Sequence, residues 1–149
     1  MKQHNILRML VITWIATIGL TVTIQADDNI VKGKENNKSI IASEKWLKLV
    51  DTGYYTKSWE IAATSFRKHV RKKQDWRNTL NAVRTPLGAV ISRKMKTSQY
   101  VNKLPSIPDG DYIIFYYETS FEHKKIATET LYLTLETDKN WRVSGYFIQ

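Results

Sequence analysis

The chain has no cysteine, three prolines, six glycines and three histidines in 149 residues. Without cysteine there is no disulfide framework, no thiol nucleophile and no thiolate zinc site. A lipid anchor on a cysteine after an apolar run is excluded as well. Only His69 and His123 lie beyond the N-terminal segment. They are far apart in sequence, with no H-x-x-x-H spacing and no histidine–carboxylate cluster, so neither a metal site nor a cofactor is expected. A glycine-rich phosphate loop and a G-x-S-x-G elbow are also missing. A wholly disordered or collagen-like chain is excluded by a hydrophobic content of 42% that includes five tryptophans.

What is present begins with an address. Lys2 and Arg8 precede an uncharged apolar run, Met9 to Thr23, and Ile24-Gln25-Ala26 stands before Asp27-Asp28. Basic, then apolar, then a small residue is the order of a secretory signal, and the run is shorter than the roughly 20 residues of a membrane span. The expectation is a signal peptide over 1–26 cut after Ala26, and a periplasmic or secreted product. Residues 27–38 are polar and aperiodic, the pattern of a flexible leader. Residues 39–149 are expected to form one domain, stable without disulfides through its own core.

Within that domain the grammar is helical first. Ser39 is placed to cap a helix reaching Asp51, with Ala42, Trp46, Leu49 and Val50 on one stripe and Gly53 ending it. A second helix is predicted over 57–70 around Trp59, Ala62, Ala63, Phe66 and Val70. A third is predicted over 73–85 around Trp76, Leu80 and Val83, closed by Pro86. After Gly88 the pattern turns to strands, predicted over 93–101, 111–121, 126–135 and 141–148. The expected fold class is α+β, with three N-terminal helices on one face of a four-stranded antiparallel sheet.

Alternation assigns Ile113, Phe115, Tyr117, Phe121, Ala127, Leu131, Leu133, Leu135, Trp141, Val143 and Phe147 to the helix-facing side. Glu129 falls in the same row. A carboxylate there is costly unless paired. It reads either as a pocket acid with a raised pKa or as a rim residue, in water or bonded to a Lys or Arg. The opposite face carries Tyr112, Ile114, Tyr116, Tyr132 and Tyr146. That is either a solvated tyrosine face or a homodimer interface.

The formal net charge is +9. It is concentrated in Arg67, Lys68, Arg71, Lys72, Lys73 and Arg77, with Asp75 as the only acid among residues 67–77. Such a run suits a helix C-terminus and solvent, or contact with an anionic envelope component. No nucleic-acid motif accompanies it.

Several separated motifs occur in a recognisable order. They are Trp46 through Tyr55 with Ser58-Trp59; Gln74 with Trp76; Arg84-Thr85-Pro86-Leu87-Gly88; Ser92-Arg93-Lys94; and Pro108-Asp109-Gly110. Tyr117 through Phe121, Lys124-Lys125, Glu129-Thr130 and Trp141 through Tyr146 continue the series. Together they resemble domain-of-unknown-function family 4019 over about Ser43 to Gln149. The resemblance implies a small exported bacterial domain of NTF2-like or cystatin-like fold, without assigned catalytic residues. The 67–73 run is more basic than the family pattern implies.

A non-enzymatic binding or interaction module is the expected function. A ligand pocket would draw on Tyr54, Trp59, Tyr117 and Glu129. Two alternatives stand beside it: an NTF2-like pocket enzyme using Glu129 with Tyr117, and an anionic-surface binder using the basic run.

Overall fold

The computed structural model describes residues 29–149, with side chains from residue 37 onward. The expected signal peptide lies outside the described residues. Among them, no helix is long and apolar enough to cross a membrane.

Helix α1 runs over Asn29–Asp51. It therefore begins ten residues ahead of the expected Ser39 start, and Ser39 is not its cap. No proline interrupts the segment, so the hydrogen-bond ladder extends through polar residues that carry no apolar stripe. The buried face is Ser39, Ser43, Trp46, Leu47 and Val50, rotated from the expected stripe, while Ala42 and Leu49 are only half-buried. Two small serines at i and i+4 let the helix approach the sheet closely. At its end Gly53 takes φ +78°. Its N–H donates to Val50, and the Tyr54 N–H donates to Leu49, which satisfies two carbonyls of the last turn.

The predicted second helix is broken in two. α2 spans Tyr55–Glu60 and α3 spans Thr64–His69. Ala63, between them, is extended, and its N–H donates to the Val143 carbonyl at 2.8 Å. A backbone donor committed to the sheet cannot serve a helix. Both Ala62 and Ala63 are wholly buried, so their small side chains permit this contact. α4 covers Lys73–Val83 and is followed by a 3-10 turn over Thr85–Leu87. Among the described residues four α-helices, not three, thus precede the sheet. Val83 is exposed rather than part of the buried stripe of Trp76 and Leu80.

The helices are joined at Ser58, which is fully buried. Trp46 donates to its carbonyl at 2.9 Å and Trp76 donates to its hydroxyl at 3.0 Å. The hydroxyl's own proton goes to the Tyr55 carbonyl. Trp59 is half-buried and donates to the Val70 carbonyl at 2.8 Å, which fixes the chain leaving α3.

The strands are β1 Val90–Val101, β2 Tyr112–Phe121, β3 Ala127–Leu135 and β4 Trp141–Ile148. They pair as an antiparallel meander in the order β1-β2-β3-β4. Together with the helices they form the expected α+β fold. One core is shared by the helices and the inward rows of β2, β3 and β4, with Phe115, Leu131 and Leu133 at 0% exposure. Each such side chain contributes about 1.5–3 kcal/mol relative to exposure.

Register shifts alter the simple alternation. In β4, Val143 faces Leu133 while Gly145 faces Tyr132, leaving Ser144 as an extra residue. Such a bulge reverses the facing of everything beyond it. Tyr146, expected outside, turns inward against Trp46, with ring centroids 5.1 Å apart. Phe147, expected inside, is 56% exposed and packs on Tyr132. In β1 the shifts leave Ile91 and Lys96 as the extra residues. They place Arg93 and Met95 in the same cross-strand rows as Thr119 and Tyr117.

Candidate functional site

Four charged residues meet where α1, the 3-10 turn and the sheet converge. Asp51 is the last residue of α1. Arg84 is the residue between α4 and the 3-10 turn. Arg93 stands on β1 and Glu129 on β3. Arg93 donates from Nε to Glu129 Oε2 at 2.6 Å and from Nη2 to Oε1 at 3.1 Å. It also grips Asp51 through Nη1 at 2.7 Å and Nη2 at 2.9 Å. Arg84 reaches the same Asp51 at 3.1 Å, donates to the Gly88 carbonyl at 2.7 Å, and lies 4.6 Å from the Phe121 ring centroid.

Glu129 is completely buried. Besides Arg93, it accepts hydrogen bonds from the Thr119 hydroxyl and the Tyr146 hydroxyl. Four donors fill the acceptor positions of one carboxylate. The side chain is bonded to an arginine, one of the two sequence readings, but in the interior rather than at a rim. Burial works against the charge on Arg93, yet its hydrogen bonds to Asp51 and Glu129, with their negative charges, outweigh it and hold the guanidinium more firmly protonated than usual. Burial, reinforced by the Glu129 charge, pushes the Tyr146 hydroxyl well above its ordinary pKa. Two carboxylates and two guanidiniums balance in formal charge, with Glu129 and Arg84 enclosed and Asp51 and Arg93 on the open side.

Beside this cluster lies an open cleft of about 340 Å³, lined by Glu44, Leu47, Lys48, Asp51, Arg93, Met95 and Tyr117. The α1 residues recur at i, i+3, i+4 and i+7, one helical face. The Tyr117 hydroxyl lies 3.0 Å from Ser43 Oγ, whose own proton goes to the Ile40 carbonyl. Tyr117 is therefore the donor in that pair. Burial pushes its hydroxyl pKa upward.

The sequence-based site is not assembled as one constellation. Tyr117 lines the cleft, but Glu129 does not. Tyr54 is 65% exposed. Trp59 is occupied at the α3 exit. Of the expected interface residues, Tyr112 and Ile114 are buried, Tyr116 and Tyr132 are half-buried, and Tyr146 belongs to the charged cluster. In the basic run, Arg67 folds back to the Glu60 and Ala62 carbonyls, and Lys73 approaches Glu60 at 3.7 Å. Lys68, Arg71, Lys72 and Arg77 are exposed.

Asp51, Arg84 and Arg93 fall within the quoted motifs but were not expected as site residues. The available signal was Glu129 itself. A carboxylate in an apolar row demands a cation on the same face, and Arg93 supplies it from β1.

The family model described as protein of unknown function (DUF4019) matches residues 42–146. The chain belongs to this family. The match takes in every member of the charged cluster and the whole cleft, so the DUF4019 domain is the part of the chain that carries both. No curated protein and no solved structure matches the chain. Among the described residues of this DUF4019 domain, no group of three or more His, Cys, Asp or Glu side chains is placed to hold a metal ion.

Proposed function

We propose that the chain is an exported, non-enzymatic binding module whose ligand seat is the cleft between α1 and the β1–β2 face. One observation carries this reading. The carboxylate an acid–base enzyme would need, Glu129, is enclosed and fully engaged, while the open space beside it is walled by Leu47, Met95 and Tyr117. The charges around that space cancel, Glu44 and Asp51 against Lys48 and Arg93, so the seat favours a small, mainly apolar molecule without net charge. Export rests on the basic, apolar and small-residue order of the first 26 residues. An NTF2-like or cystatin-like class is supported by helices preceding a four-stranded meander that shares one core with them.

The test uses Nile red, an uncharged apolar dye, with the purified chain. Fluorescence is expected to rise on binding, and Met95→Trp, which fills the cleft, is expected to abolish the rise. Phe147→Ser, on the other sheet face, is expected to leave it unchanged. A signal unaffected by Met95→Trp, or lost with Phe147→Ser, would overturn the assignment.

A further inference from the structure

We propose that the corner between α3 and α4 is a docking ridge for a linear acidic polymer, one bearing repeated phosphate or carboxylate groups. This goes beyond the cleft and does not depend on it. Lys68 lies in the last turn of α3, Arg71 and Lys72 form the link to α4, and Arg77 stands one turn into α4. All four are exposed, and none has a carboxylate partner within ion-pair distance among the described residues. Arg67 and Lys73 differ, since Arg67 donates to the Glu60 and Ala62 backbone carbonyls and Lys73 lies 3.7 Å from the Glu60 carboxylate.

The backbone beneath these cations is fixed. Trp59 holds the Val70 carbonyl at 2.8 Å, and Phe66 meets Trp76 edge-on at 5.0 Å across the two helices. A rigid corner loses little freedom on binding. Four exposed like charges within ten residues, with Asp75 the only acid among them, repel one another, and an anionic chain bound to them relieves that repulsion. Two arginines add the planar, two-pronged donor that suits phosphate and carboxylate oxygens.

The surroundings favour a polymer over a bilayer. Among the described residues the exposed large apolar side chains are Ile41, Tyr54, Val83, Ile91, Tyr100, Ile107, Ile126 and Phe147, and none falls between residues 64 and 77. The α3–α4 segment itself thus offers no exposed large apolar side chain to insert among lipid chains, and charge alone holds a protein to a membrane only weakly.

Fluorescence anisotropy with labelled long-chain polyphosphate and labelled poly-glutamate at low ionic strength tests the ridge. Binding to at least one polymer is expected, with a log–log salt slope of about −3 for four neutralised charges on a flexible chain. Replacing Lys68, Arg71, Lys72 and Arg77 by Gln is expected to weaken it by at least about tenfold. Replacing Lys45, Lys103, Lys124 and Lys125 by Gln removes the same charge elsewhere and is expected to change it by less than about twofold. If the ridge variant does not fold, Arg71→Gln/Arg77→Gln, checked by circular dichroism, gives the same comparison against Lys103→Gln/Lys125→Gln. Equal loss in both sets would reduce the effect to net charge and overturn the proposal. So would binding to phosphatidylglycerol vesicles but to neither polymer, or binding to none of the probes.

Discussion

Arg93 and Glu129 form a two-bonded ion pair, 2.6 Å at its shorter contact, although they stand on strands that are not neighbours. β2 runs between them, with Thr119 opposite Arg93 and Tyr117 opposite Glu129. The guanidinium crosses the inward face diagonally and also grips Asp51 at the end of α1. One side chain therefore ties β1, β3 and the first helix together through charge.

Removing one partner leaves the other buried and uncompensated. Arg93→Met is expected to cost about 3–5 kcal/mol of stability. Adding Glu129→Leu is expected to recover part of that loss, with a coupling energy of about 1–3 kcal/mol. Urea denaturation of the wild type, both single variants and the double variant closes the cycle. Additive losses would mean that the pair contributes no coupling.

The acid limb of stability is expected to depend on Arg142. Partial burial pushes the Glu136 carboxyl upward, but the Thr64 N–H at 2.7 Å and Arg142 at 2.7 Å reverse this and hold it below its usual range. Hydrogen bonds from Arg142 hold the Asp138 carboxyl far below its usual range. A carboxyl depressed in the folded state contributes stability above its unfolded pKa, about 4, and that contribution is lost as pH falls through the folded value. Melting temperature is therefore expected to drop below about pH 4. In Arg142→Gln the drop is expected to be shallower and to start from a lower plateau. Superimposable pH profiles for the two proteins would refute this account.

Gly88 is expected to tolerate no side chain. Its φ of 76° and ψ of −158° lie in a region essentially reserved for glycine. A Cβ there would lie 2.8 Å from the Glu122 Cβ and 3.0 Å from the His123 ring. Gly88→Ala is expected to lose about 1–3 kcal/mol from the backbone conformation, with the clash in addition. Gly53→Ala, at φ 78° with open space around it, carries no clash and is expected to lose less. Thermal melts of the two variants rank them, and an equal loss would remove the role of the Glu122 contact.

Much of the α+β order was legible because it rests on short-range pattern. Trp76 and Leu80 repeat at helical spacing, and Ile113, Phe115 and Tyr117 alternate at strand spacing, so their local periods name the elements and their buried faces. The break between α2 and α3 was not legible. Ala62 and Ala63 are good helix residues, and only the Val143 carbonyl on a distant strand withdraws the Ala63 N–H from a helical ladder. Likewise Gly145, next to Ser144, signals that the strand can bend there but does not fix the register, and that single extra residue carries Tyr146 inward to Glu129 and turns Phe147 outward.

The sequence by itself determined the family, the helix-then-strand order, the meander and the position of an acid in an apolar row, because each depends on neighbours within a few residues. Only the tertiary structure decided what that acid does. Its partners arrive from β1, β2 and β4, with Asp51 and Arg84 closing the far side of Arg93. A buried charge is settled by whichever opposite charges and donors the fold brings within hydrogen-bond distance, and that depends on strand register and side-chain reach rather than on local composition.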